Sequence, residues 1–214
     1  MWIAGFDPGG SGSFGWCLAE AEVRHLPIII HHSGVTNNAL DAMRQTLAVI
    51  PKGAKIDAAG IDSPMYWTAH GDRKADLMVR RLIHQCGCPT SGGTVQNVNS
   101  LRGACLVQGI LTAHLLRKNF PLARITESHP KALLWLMSIA RKGVSVESIT
   151  TDDLQEFFLF QENELCHHRR DAGLGALSAW AMLSGRTDWK DLLPDEDDPF
   201  SPVPGIEYWM PVPQ

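Results

Sequence analysis

The order of apolar segments along this chain is its strongest constraint on fold. Met1 to Asp7 is a short apolar run ending in Asp7-Pro8-Gly9-Gly10, which reads as a buried strand stopped by a tight turn. Phe14 to Glu20 follows as a second strand after a Ser-Gly-Ser link that suggests a hairpin, and Leu26 to His32 is a third. Ala39 to Ile50 has helical spacing and is closed by Pro51-Lys52-Gly53. From there strands and helices alternate. Strands are expected at Lys55 to Asp62 and Leu122 to Glu127. Helices are expected at Asp72 to Gln85, Ser100 to Asn119, Pro130 to Arg141, Thr151 to Leu165 and His168 to Ser184. This order predicts an α/β fold, with a mixed sheet of three antiparallel strands plus parallel strands, covered by helices.

At 214 residues the chain is long enough for one domain with a real core. The expected division is a domain over 1–193 and a Pro-rich acidic tail over 194–214. That tail holds six of the 13 prolines and an Asp-Glu-Asp-Asp run, and reads as irregular, with Trp209 pinning it to the body. A net charge of -4 argues against indiscriminate binding to polyanions, which scales with the phosphates neutralised. Contact with nucleic acid would need local basic patches, for which Arg73-Lys74, Arg80-Arg81, Arg141-Lys142 and Arg169-Arg170 are the candidates. Five scattered cysteines make a disulfide framework a poor reading and favour a reducing compartment. No signal-peptide pattern and no apolar run of membrane-spanning length is present, so the expected location is the cytoplasm, with no membrane partner.

Four acids stand where elements begin or end. Asp7 closes the first strand, Asp62 the fourth and Glu127 the fifth, while Asp171 lies in the first turn of the last helix. Ligand sites in sheets with parallel strands lie beyond the carboxyl ends of those strands, so these acids are placed to converge if the strands are neighbours. Converging carboxylates repel unless a cation neutralises them, and oxygen donors suit Mg²⁺ or Mn²⁺. Such ions could activate a water and steady the leaving oxygen of a phosphodiester. The glycines after Asp7 would let backbone approach a phosphate, although a plain hairpin turn explains them equally well. His168 shares a helix face with Asp171 and could orient a water or bind a phosphate; a simple surface histidine is the competing reading. Gly173 and Gly175 cost about 1 kcal/mol each inside a helix, which close packing on the sheet would offset.

Two further groupings have blander readings. His84, Cys86 and Cys88 lack the paired spacing of a zinc site. Arg73, Asp76 and Arg80 fall on one helix face as an ion-paired stripe, or less plainly as a phosphate guide.

Gly5-Phe6-Asp7-Pro8-Gly9 followed by Gly15-Trp16 resembles the first strand and turn of RuvC-type Holliday junction resolvases, and His168-x-x-Asp171-Ala172 is similar to their closing motif. The wider pattern resembles a family of largely uncharacterised prokaryotic predicted nucleases with a ribonuclease H-like fold. It is carried by Gly60-Ile61-Asp62-Ser63-Pro64, Arg73-x-x-Asp76-x-x-x-Arg80, Glu127-Ser128-His129-Pro130 and Asp171-Ala172. The resemblance implies a metal-dependent nuclease acting on DNA or RNA, with Asp7, Asp62 and Asp171 as metal ligands and Glu127 and His168 in support. The resolvases bear Glu where Asp62 stands, and Glu127 matches the predicted nucleases better than the resolvases. Two other readings stay open: an actin-like nucleotide-binding ATPase relative, and a non-catalytic module that binds nucleic acid or protein. The oligomeric state is open too, a homodimer included.

Overall fold

A computed structural model describes residues 1–68, 72–98, 103–161 and 166–212. The strands β1 (Trp2–Asp7), β2 (Phe14–Glu20) and β3 (Ile28–Thr36) form an antiparallel meander. β4 (Ile56–Ile61) and β5 (Arg124–Glu127) extend it in parallel from β1. With β6 (Phe158–Phe160), β7 (Trp189–Asp191) and β8 (Ile206–Pro211), the eight strands run in the order β6-β3-β2-β1-β4-β5-β8-β7. This is the mixed α/β sheet that the order of elements predicts.

The helices are α1 (Ala39–Val49), α2 (Lys74–Gln85), α3 (Ser91–Thr94), α4 (Gly103–Asn119), α5 (Pro130–Leu136) and α6 (His167–Ser184). α1 begins where Asn38 accepts from the Asp41 backbone N–H at 3.0 Å, an N-cap that satisfies one of the orphan donors of the first turn. α6 ends at Gly185, whose left-handed backbone (φ 59°) closes the helix without a Cβ penalty. The start of the helix expected from Ser100 lies outside the described residues.

α6 lies directly on the sheet, and glycines allow it. A Cβ on Gly15 would stand 2.1 Å from the carbonyl oxygen of His168, one on Gly5 1.8 Å from that of Ala172, and one on Gly60 1.9 Å from that of Gly175. These glycines sit on β2, β1 and β4, three neighbouring strands, and the carbonyls they meet form one stripe along α6. Gly175 reciprocates, since its own Cβ would meet the Gly60 carbonyl at 2.9 Å. Backbone therefore packs on backbone, which offsets the propensity cost of glycine inside the helix.

Three expectations need correction. The segment 151–165 is not a helix where it is described: a 3-10 turn at Asp152–Leu154 leads into β6, which pairs parallel with β3. Phe158 and Phe160 pack edge to face at 5.4 Å, and aromatic residues fit a pleated surface better than a helix here. α5 stops at Leu136 because Ser138 turns into the left-handed region (φ 61°). The segment from Pro194 is not an irregular tail either. It supplies β8, which separates β5 from β7 and buries Tyr208 and Met210 completely, and Val203 ahead of the strand is buried as fully. Period-two burial along Ile206, Tyr208 and Met210 is what places that strand in the sheet.

Candidate active site

The ends of β1, β4 and β5 lie side by side, as their parallel pairing requires. Phe6 is in register with Ile61, and the Asp62 amide donates to the Phe6 carbonyl at 2.9 Å, so Asp7 and Asp62 leave adjacent strands together. Gly5 is in register with Gly60, and both face α6; by alternation Asp7 and Asp62 share that face. The close seat of α6 then brings its first turn, with His168 and Asp171, over the same strand ends. Asp7, Asp62, Asp171 and His168 line one cleft of about 320 Å³, together with His129 at the N-cap of α5 and Lys131 in its first turn.

Burial, reinforced by the crowding of carboxylates, sets the electrostatics. Burial pushes the Asp62 carboxyl well above the usual range, the charges of Asp7 and Asp171 push it further, and Lys131 pulls the other way. Asp171 is raised to about 6, first by burial, against the opposing Arg170 charge and together with Asp7. Arg170 pairs with Asp171 Oδ1 through Nε at 2.9 Å and Nη2 at 2.8 Å, while its Nη1 donates to the carbonyls of Val146 and Ile149. His168 Nδ1 lies 2.7 Å from Asp7 Oδ2, and that hydrogen bond raises the imidazole against the effect of its burial. The neighbouring His167 is lowered, by burial and then by the charge of His168.

These donors suit a divalent cation. One oxygen of Asp7 and one of Asp171 remain beyond their histidine and arginine partners, and the Asp62 carboxylate has no hydrogen-bond donor among the described residues. Three carboxylates on a strand end, a second strand end and a helix form an all-oxygen set of the kind that holds Mg²⁺ or Mn²⁺.

Glu127 does not join them. It is in register with Ile61, not with Asp62, so its side chain leaves the opposite face of the sheet; the next residue, Ser128, meets Ser178 of α6 at 3.2 Å. A shift of one residue along a strand exchanges the faces, and the register of β5 against β4 cannot be read from either segment alone. Glu127 enters a buried ion cluster instead. Arg73, fully buried, donates to both oxygens of Glu127 at 2.5 and 2.9 Å and to both oxygens of Asp76 at 2.7 and 2.8 Å. Tyr66 and Tyr208 pack their rings against the guanidinium at 4.3 and 5.5 Å. Burial would raise the Glu127 carboxyl, but the charge and hydrogen bonds of Arg73, with His129 nearby, leave it below the usual range.

Asp76, Glu127 and His129 bring ligand atoms within 4.8 Å of one another, the spacing of a metal site. Arg73 engages all four carboxylate oxygens of that group, so a guanidinium already does what an ion would do there.

No protein-family model, curated protein or solved structure matches this chain.

Of the four basic pairs, Arg73 and Arg170 are buried in ion pairs and offer nothing to a ligand. Arg80 braces the Val95 carbonyl at 2.7 Å and pairs with Asp72. Arg141 and Lys142 remain exposed. All five cysteines are free thiols; Cys88 is buried against Thr94 at 3.4 Å, and no cluster with metal-ligand spacing among the described residues includes it. Sequence reasoning missed Lys131 and His129. His129 stood within the Glu127-Ser128-His129-Pro130 motif but was given no role, and Lys131 carried no signal beyond its place four residues after that acid.

Proposed function

We propose that this protein is a divalent-metal-dependent nuclease of the ribonuclease H-like superfamily, hydrolysing phosphodiesters in DNA or RNA. The observation that carries the reading is the set Asp7, Asp62 and Asp171, three carboxylates from three elements lining one cleft, in which burial first and neighbouring charge second raise the carboxyls of Asp62 and Asp171. A sheet of three antiparallel strands continued by parallel ones, with its acids at adjacent strand ends, supports the assignment. Asp7, Asp62 and Asp171 would hold Mg²⁺ or Mn²⁺, which when bound would neutralise the acids and make a water more acidic.

The chain's own residues complete the site. His168, donating to Asp7, fixes the direction of that carboxylate. Lys131 brings a positive charge to the same cleft, available to the non-bridging oxygens of a phosphodiester. The free thiols fit a reducing cytoplasm, and no described helix is long and apolar enough to cross a membrane.

Calorimetry with Mn²⁺ on the wild type and Asp7→Asn, beside labelled DNA and RNA substrates, tests the reading. Metal should raise the melting temperature of the wild type, and Asp7→Asn should lose most of that rise and all metal-dependent cleavage. Absence of Mn²⁺ binding at millimolar concentration would end the nuclease reading. Stabilisation that requires nucleotide together with metal would favour an ATPase instead.

A further inference from the structure

We propose that His129 is the proton acceptor of this cleft, held for that role by the buried Glu127–Arg73 pair. Its reaction, though not its geometry, rests on the nuclease reading.

His129 stands between β5 and α5, its ring tilted against that of Tyr208 at 5.5 Å. Nε2 is buried and points into the ion cluster, 3.3 Å from Glu127 Oε1 and 4.0 Å from Asp76 Oδ1. The approach to Glu127 is short but poorly aligned, so Nε2 lacks a full hydrogen bond. Catalytic hydrogen bonds are often long before substrate binds. The ring also lines the cleft that holds Asp62, Asp171 and Lys131. Nδ1 has no hydrogen-bond partner among the described residues.

Glu127 is suited to orienting this ring and to little else. Its oxygens take two hydrogen bonds from Arg73 and one from the Met65 amide at 3.0 Å, and no part of it reaches solvent. The carboxylate stays ionised beside Nε2, which favours the tautomer that carries its proton on Nε2 and leaves the Nδ1 lone pair open. The cleft's other well-placed imidazole, His168, already has its Nδ1 tied to Asp7. A buried ion cluster costs desolvation that packing alone would not require, and a fixed charge behind His129 gives this one a use.

In the step proposed, Nδ1 takes a proton from water as the water oxygen bonds to phosphorus. The ester bond to the leaving oxygen breaks, that oxygen takes a proton from solvent, and the imidazolium returns its proton to solvent. The sum is hydrolysis of the diester to a monoester and an alcohol.

Nitrogen NMR of histidine-labelled protein reads the tautomer without any reaction; the His129 signals are assigned by their loss in His129→Gln. Protonation at Nε2 is expected, and an Nδ1–H tautomer would overturn the orientation. With Mn²⁺ and bis(4-nitrophenyl) phosphate or labelled single-stranded DNA, His129→Ala should lower kcat by about 10²- to 10³-fold. Its Mn²⁺-dependent melting should match the wild type, and added imidazole should restore turnover by about tenfold or more, which a purely structural role would not allow. If His129→Ala folds poorly, His129→Gln carries the same kcat comparison. A variant cleaving at the wild-type rate overturns the role of His129 alone, whereas a wild type that cleaves neither probe overturns it together with the nuclease reading.

Discussion

The carbonyl oxygen of Gly175 occupies space that a Cβ on Gly60 would need, 1.9 Å from where that atom would stand. Both sides of this contact are backbone, so neither can rotate away. Gly60→Ala should destabilise the protein by about 3 kcal/mol or more, or lift α6 from the sheet. Gly10→Ala, with nothing within 4 Å of its added carbon, should stay within about 0.5 kcal/mol of the wild type. Denaturant melts of the two variants make the comparison, and equal losses would disprove the close seat of α6.

A pH dependence follows from Asp171. Its carboxyl is raised to about 6 in the fold, while an unfolded aspartate titrates near ~3.9. The folded state therefore binds this proton more tightly, and the stability it contributes is full below ~3.9 and lost as the pH rises through 6. Asp171→Asn should flatten the curve of unfolding free energy across that window by roughly 2–3 kcal/mol relative to the wild type. Any constant penalty from leaving Arg170 without its charged partner would not alter the slope. Parallel curves for the two proteins would count against the shift.

Arg73 should be the most sensitive position in the buried cluster. Arg73→Met leaves Asp76 and Glu127 buried without their cation and should cost about 3–5 kcal/mol near neutral pH. Glu127, held down by Arg73 against its burial, would then bind its proton more readily in the fold than when unfolded. The variant should consequently recover stability as the pH falls toward 4, opposite in sign to the wild-type Glu127, whose depressed carboxyl loses its contribution on acidification. Thermal melts at pH 4.5 and 7 decide it.

Glu196 ties the C-terminal segment to α2. It accepts from the backbone of Lys74 and Ala75 at 2.9 and 2.8 Å and from Tyr66 Oη at 2.8 Å, which makes it a cap supplied from far along the chain. Glu196→Ala should cost about 1–2 kcal/mol. A chain ending at Leu193 also lacks β8 and should not unfold cooperatively. Soluble, cooperatively melting truncated protein would show that the sheet does not need this strand.

The meander of β1 to β3, the alternation after it and the acids at strand ends were legible because each rests on local pattern. Asp7, Asp62 and Asp171 meet as their positions suggested. Glu127 does not, because the face it takes depends on register with β4, a relation between segments 66 residues apart in the register pair Ile61 and Glu127. β8 was illegible for a related reason. Its prolines and the acidic run before it signal irregular chain, while its partners β5 and β7 are set by tertiary packing. Arg73 looked like surface charge on an amphipathic helix, and its burial depends on two acids and two tyrosines brought from elsewhere in the chain.

The place of β8 also bears on how the molecule assembles. β8 pairs in parallel with β5, Ile125 against Ile206, so the loop closed between them is long and its entropic cost must be met before the strand adds any contact. Until then β5 presents an open edge of backbone donors and acceptors, a template on which another chain can pair. Slow refolding and concentration-dependent losses through that edge are the expected kinetic counterpart of a sheet completed by a segment so distant from its neighbour.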